Sequence, residues 1–255
     1  MMPEQAVPWA SSPEGIADEA LLLALRGASP VIVSPDRLRG AVLAAALGCD
    51  VALLDDGFQH RRLHRDLDVV LTSKDDRTAR VLPAGPLREP LASLARADVV
   101  VTTDDAAPSA SRPRFNARQV ARGLVHELGP SATLRPTESL RGHEVVVVAG
   151  IARPERFLGL LAVAGATIAA KPLLYTDHHD YSSADVAAML RAAGSDCRIV
   201  TTEKDLVKLG RLVPPETRLE ALRIDLEIDR GEDFLERVLE AIDRLDAQPR
   251  PPHHR

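Results

Sequence analysis

Short apolar runs rich in β-branched residues alternate with longer segments of helical period along almost all of this 255-residue chain. Each helix between two such runs returns the chain to the same end of a sheet. The pattern therefore specifies an α/β fold whose strands are mostly parallel. The first helix is expected over Asp18–Arg26, stopped by Gly27. Residues 31–33 read as a strand, and Ser34-Pro35-Asp36 supply an N-cap and a first-turn proline for a helix reaching Gly48. Residues 51–54, 67–71 and 99–102 are expected as further strands, central and buried by composition.

Residues 104–113, rich in Ala, Ser, Pro and Asp, read as a surface loop, and residues 120–127 and 132–136 as two strands across the turn Gly129-Pro130. A second α/β series opens at Val145. It continues with a helix over Pro154–Val163, a strand near Ile168, a helix over Ser183–Ala193 and a strand over residues 199–201. A helix from Glu203, a strand near residues 222–226 and a helix over residues 233–245 close it, with 248–255 as a frayed tail.

Composition narrows the class. An apolar content of 45% and a charged content of 27% suit a protein that buries a core, and the length allows one large or two modest domains. The net charge of −5 argues against a protein that coats nucleic acid, and no protein partner is implied. Cys49 and Cys197 are too few for a disulfide framework and are expected as buried small hydrophobes in a reducing compartment. No run approaches the roughly 18 apolar residues that span a bilayer, and Met1-Met2-Pro3-Glu4 lacks the order of a signal peptide. The expected location is the cytoplasm.

The run Val51-Ala52-Leu53-Leu54-Asp55-Asp56 places two carboxylates at the carboxyl edge of an expected strand, where open α/β sheets bind ligands. This is a Walker B arrangement, in which a strand-end Asp helps hold a divalent cation against transferring phosphates. A plain turn at Asp55-Asp56-Gly57 is the competing reading, since acids favour turns for local hydrogen bonding. The Arg- and His-rich run that follows, residues 60–65, suits a site for a nucleotide or phosphorylated substrate, or is a solvated face. A haloacid-dehalogenase phosphatase would need a second Asp two positions on, where Gly57 and Phe58 stand.

Asp177-His178-His179-Asp180 lies in a polar segment after Leu173-Leu174-Tyr175. It suits a metal site, a catalytic base or a loop leading into a helix. Adjacent histidines seldom reach one metal from regular backbone, because neighbouring side chains diverge. Residues 82–90 form a proline-rich loop around Arg88 and Glu89 that could present a cation to a phosphate or serve structure alone. Gly150 is expected to serve tight packing at a strand-to-helix turn, with Arg153 left open. Thr201 or Thr202 is expected to cap the helix that starts at Glu203.

Together these segments resemble the tetraacyldisaccharide 4′-kinase family. The resemblance is carried by Asp55-Asp56-Gly57-Phe58-Gln59-His60, then Leu82 through Pro90, Ala149 through Phe157, Asp177-His178 and Thr201-Thr202-Glu203-Lys204-Asp205, in the family's order. It implies transfer of the ATP γ-phosphate to the 4′-hydroxyl of a lipid A disaccharide 1-phosphate precursor. It also implies a P-loop NTPase-like sheet joined to a smaller α/β domain, and work at the cytoplasmic face of the inner membrane by peripheral contact.

On that resemblance Asp55 and Asp56 would hold or orient Mg²⁺, and Gln59, His60 and Arg88 would contact the nucleotide. Asp18 and His178 would activate the acceptor hydroxyl. Ala17 and Ala20 stand where the family's Gly-Asp-Glu-Pro motif has Gly and Pro, so Asp18 also reads as a first-turn acid of a helix. The implied domains are a partial nucleotide-binding domain over 1–118, a two-stranded linker over 119–140, a smaller domain over 141–247 and the tail.

The sequence contains no Gly-x-x-x-x-Gly-Lys-Ser/Thr run. That loop wraps phosphates with backbone N–H groups and supplies a lysine and a metal-binding hydroxyl. The expectation is an amino-terminally truncated kinase, from an incomplete chain or a misplaced start codon. The alternative is a non-catalytic remnant that binds the lipid disaccharide.

Overall fold

The computed structural model describes residues 18–27, 29–103 and 114–246. In chain order they form helices α1 (Asp18–Arg26) and α2 (Arg37–Ala46) and strands β1 (Val69–Thr72), β2 (Val99–Thr102), β3 (Arg114–Val125) and β4 (Glu144–Gly150). Helix α3 (Pro154–Val163), strands β5 (Thr167–Ile168) and β6 (Leu173–Tyr175), helix α4 (Ser183–Ala193) and strand β7 (Arg198–Thr202) follow. Helix α5 (Glu203–Leu209), strand β8 (Leu219–Ile228) and helix α6 (Gly231–Asp246) complete the series.

The chain forms two compact units, one from Met1–Asp36 with Val120–Asp225, the other from Arg37–Gln119 with Leu226–Arg255. The chain passes from one to the other after Asp36, inside β3 and again inside β8, so each unit takes two separate stretches, where the blocks read from the sequence are contiguous.

In the first unit β4 is central. It pairs in parallel with β7 on one side and with β5 and β6 on the other, and β7 pairs in parallel with β8. Residues 145–149 of β4 are at most 1% exposed, because helices cover both faces. Side chains alternate across a strand. Val145, Val147 and Ala149 therefore meet Phe157 and Leu161 of α3, while Val146 and Val148 meet Met189 of α4 and Leu206 of α5. Each such valine contributes about 1.5 kcal/mol or more by leaving water. Local signals set the helices: Pro154 stands in the first turn of α3, Ser182 and Asp185 form a capping box for α4, and Gly194 ends it at φ +59°.

In the second unit β1, β2 and β3 run in parallel. Val99, Val101, Phe115 and Ala117 form its core with Leu67, Val69, Ile228 and Phe234 of α6. Phe115 and Phe234 meet edge to face at 5.4 Å. Asn116 bonds Asp229 and Arg118 bonds Glu227, the opposed register of antiparallel neighbours.

Four expectations are corrected. Residues 31–33 form no strand beyond a single bridge at Ile32. Residues 51–54 have extended backbone outside any ladder, with Val51 49% and Leu53 91% exposed. Apolar composition marks a preference for burial, but a strand also needs a neighbour's donors and acceptors, and no strand pairs with these residues among those described. Residues 132–136 contribute one antiparallel bridge, Leu124 to Arg135, and β3 instead begins at Arg114. Pro130 and Pro136 bring no N–H to a ladder there. Cys49 and Cys197 are half-buried, Cys197 donating its thiol to the Glu144 carbonyl. The loop expected at 104–113 and the tail at 248–255 lie outside the described residues.

Candidate functional site

The first unit gathers a charged cluster where the amino end of α1, the segment of residues 176–180 and one face of α5 converge. Asp18 Oδ2 lies 3.3 Å from His178 Nδ1 although 160 residues separate them. His178 Nε2 lies 3.5 Å from Glu19 Oε1. The histidine side chain is 53% exposed and that of Asp18 17%, so the acid is sheltered while the imidazole meets solvent. His178 holds φ at +58°, a left-handed conformation unusual for a residue with a Cβ.

Two lysines of α5, one helical turn apart, frame this pair. Lys208 Nζ stands 2.8 Å from Asp18 Oδ2, and Lys204 Nζ 2.7 Å from Asp177 Oδ1. Burial pushes the Asp18 carboxyl up, but hydrogen bonds from Lys208 and His178 outweigh it and hold the group below the usual carboxylate range. Lys204 holds Asp177 down in the same way, and Asp177 keeps Lys204 protonated against its own burial.

His179 turns elsewhere. Its Nε2 lies 3.2 Å from Asp185 Oδ2, and its ring stacks on Tyr175 at 4.4 Å. The two histidines thus reach different acids, and Asp180 is fully exposed. Among the described residues no group of three or more His, Cys, Asp or Glu is arranged to hold a metal.

Thr202 caps α5 by accepting from the Asp205 amide. Asp205 is 1% exposed, and its Oδ2 accepts from Thr202 Oγ1 at 2.7 Å and from the Gly150 amide at 3.0 Å. A Cβ on Gly150 would meet Asp205 Oδ1 and the Tyr181 hydroxyl at 3.0 Å, so close packing selects glycine there. Arg153 is exposed at the amino cap of α3.

The second unit carries the remaining predicted residues. Asp56 holds φ at +52°, and its Oδ2 accepts from Arg88 Nη2 at 2.9 Å, which fastens the loop of residues 82–90 to the acidic turn. A Cβ on Gly57 would meet Leu54 Cβ at 2.8 Å, so the turn closes only with glycine. Asp55, Asp56, Gln59 and Arg88 line a cleft of about 1540 Å³ whose walls include Leu53, Leu71 and Leu235. His60 is not among its lining residues. Both acids are exposed hard-oxygen donors, and Mg²⁺ takes one or two protein carboxylates and fills its remaining positions with water and phosphate, so the pair fits that ion.

The basic run beside the acids divides by role. Arg65 is 15% exposed, bonds both oxygens of Asp68 and donates to the carbonyls of His60 and Leu63. It is a structural hub, whereas Arg61, Arg62 and His64 are exposed. Sequence reading grouped Arg65 with that basic run, gave Lys204 no role of its own and overlooked Lys208. The four-residue spacing of the lysines on a helix that follows a strand end was the available signal.

A mostly parallel sheet covered by helices, with an acidic turn over an open cleft in one unit and an acid–histidine pair in the other, defines a protein of P-loop NTPase-like α/β architecture. The family model described as tetraacyldisaccharide-1-P 4′-kinase matches residues 2–243, and the chain belongs to that family. A tetraacyldisaccharide 4′-kinase of Anaeromyxobacter sp. (strain K) is 39% identical over 92% of this chain and 67% of its own. The one from Koribacter versatilis is 38% identical over 91% of this chain and 73% of its own. The crystal structure of LpxK from Aquifex aeolicus in complex with ATP superposes with a TM-score of 0.71 at 30% identity, covering 88% of this chain and 69% of that one. The chain thus spans about two thirds of the length of these relatives.

Proposed function

We propose that this chain carries the acceptor-side and metal-side residues of a kinase that moves the ATP γ-phosphate onto the 4′-hydroxyl of tetraacyldisaccharide 1-phosphate. The observation that carries the reading is the Asp18–His178 pair at 3.3 Å, one half-buried acid against one exposed imidazole. An ionised Asp18 accepts the Nδ1 hydrogen, which leaves Nε2 with the lone pair that takes the hydroxyl proton. The sugar oxygen then bonds the γ-phosphorus as the bond to the bridging oxygen breaks, and ADP leaves. When bound, Mg²⁺ neutralises charge on the transferring phosphates, and Asp55 and Asp56 are the residues that would hold it. Gln59, His60 and Arg88 belong to the nucleotide side, so the unit containing Arg37–Gln119 is read as the nucleotide domain and the other as the acceptor domain.

The acceptor is amphiphilic, which places the work at the cytoplasmic face of the inner membrane by peripheral contact. Among the described residues no helix is long and apolar enough to cross a membrane. The phosphate-gripping loop is read as lying on chain outside these residues. The supports are the missing Gly-Lys-Ser/Thr run and the apolar walls of the cleft, where Leu53 stands 91% exposed. The same two observations favour a second reading, a polypeptide that binds the lipid disaccharide without turnover.

Purified protein given Mg-ATP and the tetraacyl disaccharide 1-phosphate separates the readings. Turnover at the 4′ position that falls by about 10²–10⁴-fold in Asp18→Asn and His178→Gln supports the kinase. Turnover indifferent to both substitutions overturns the assignment of the pair. Lipid binding without turnover supports the second reading. An in-frame stop codon directly upstream, with no sequence encoding the loop, would remove the proposal that the loop lies on adjoining chain.

A further inference from the structure

We propose that Lys208 is a positioning residue for the Asp18–His178 pair, tying the carboxylate at the start of α1 to the backbone of the segment that carries the histidine. The inference rests on the reading of that pair as the acceptor-hydroxyl site. A lysine ammonium has three hydrogens to donate. Lys208 Nζ lies 2.8 Å from Asp18 Oδ2, 3.1 Å from the His179 carbonyl and 3.3 Å from the His178 carbonyl, which accounts for all three. Its side chain is 17% exposed, so these contacts are little diluted by solvent.

Both members of the pair depend on it. His178 keeps its left-handed backbone only if the surroundings over-determine it, and Lys208 grips the carbonyl of His178 itself and that of His179. Asp18 has its oxygen directed at the same ammonium. The other charged groups are Glu19 and Asp177, which face His178 Nε2 at 3.5 and 3.9 Å, and Asp180, 3.8 Å from Lys208. Lys204, one turn earlier, is occupied with Asp177 at 2.7 Å and Glu19 at 3.5 Å. The two lysines therefore divide the acids between them, and Lys208 is the one that faces Asp18. An ionised, oriented Asp18 is what holds the imidazole in the tautomer that leaves Nε2 free to accept a proton.

The test follows the Asp18 carboxyl carbon by NMR through a pH titration of the 255-residue protein with labelled aspartate. In the wild-type protein the midpoint lies below the ordinary aspartate value. Lys208→Met and Lys208→Gln raise it by about one pH unit, a roughly tenfold change in proton affinity. Lys208→Arg restores most of the depression, and Lys204→Met leaves the midpoint within about 0.3 pH unit, well under the scatter among folded proteins. The glutamine variant keeps a donor for the carbonyls and reports should the methionine variant fail to fold. A wild-type midpoint at or above the ordinary value overturns the proposal, as does a midpoint indifferent to both neutral substitutions or moved equally by Lys204→Met. None of these readouts requires turnover, so their failure is distinct from failure of the kinase reading, which the Asp18→Asn and His178→Gln assays decide.

Discussion

Asp205 Oδ2 accepts the Gly150 amide hydrogen at 3.0 Å, so the first turn of α5 is pinned to the last residue of β4. There is no room for a methyl group between them, because a Cβ on Gly150 lies 3.0 Å from both Asp205 Oδ1 and the Tyr181 hydroxyl. Asp205 and Tyr181 are both buried, so neither group can readily retreat into solvent. Gly150→Ala is expected to destabilise the protein by about 1–3 kcal/mol, the cost of overpacking a filled interior, read as a lower urea midpoint. An unchanged midpoint would show that β4 and α5 are less tightly joined than this geometry requires.

The capping box of α4 has a pH signature. Hydrogen bonds from the Ser182 side chain and amide, with a smaller contribution from His179, pull Asp185 from 3.8 down to about 2. A depressed folded value contributes stability that is present above the unfolded value and is lost as pH falls through the folded one. Asp185→Ala should therefore cost about 1–2 kcal/mol at neutral pH, with the gap to wild type closing below the ordinary carboxylate range. Urea titrations at a series of pH values check it, and a gap that persists at the acid end contradicts the assignment.

Asp55 and Asp56 are proposed to hold the divalent cation, and paramagnetic Mn²⁺ reports on this without any reaction. Added Mn²⁺ is expected to broaden the amide signals of Gly57 and Phe58 before others. Asp56→Asn should raise the Mn²⁺ concentration required by about tenfold or more, as loss of a charged oxygen ligand does. Broadening centred instead on Asp177 and Asp180 would move the cation site to the other unit.

Leu53 offers a test of an unexpected exposure. Its side chain is 91% exposed at the cleft, so Leu53→Lys should change the stability of this polypeptide by no more than about 0.5 kcal/mol. Burying that lysine in a central strand would cost several times as much. A large loss in thermal stability would mean that residues 51–54 pair and bury after all.

Where the covering layers are local, elements were legible to the residue. The helices Asp18–Arg26, Pro154–Val163 and Ser183–Ala193 follow from period and caps, and the parallel sheet follows from the β-rich runs between them. Residues 51–54 show the limit, because their composition is that of a buried strand and their environment is not. Periodicity records what a segment prefers, while pairing depends on a neighbour the segment does not encode.

The site divides along the same line. By itself the sequence determined the chemistry on offer, an acidic turn at Asp55-Asp56-Gly57, an exposed-loop histidine in Asp177-His178 and an acid opening the first helix. Only the tertiary structure decided which groups meet. It set Asp18 against His178 across 160 residues, sent His179 to Asp185, made Arg65 a scaffold, and turned Lys208 from an ordinary helix lysine into the partner of Asp18. Local sequence fixes the direction of a side chain from its own backbone, whereas the partner it reaches depends on which distant segments the core brings alongside.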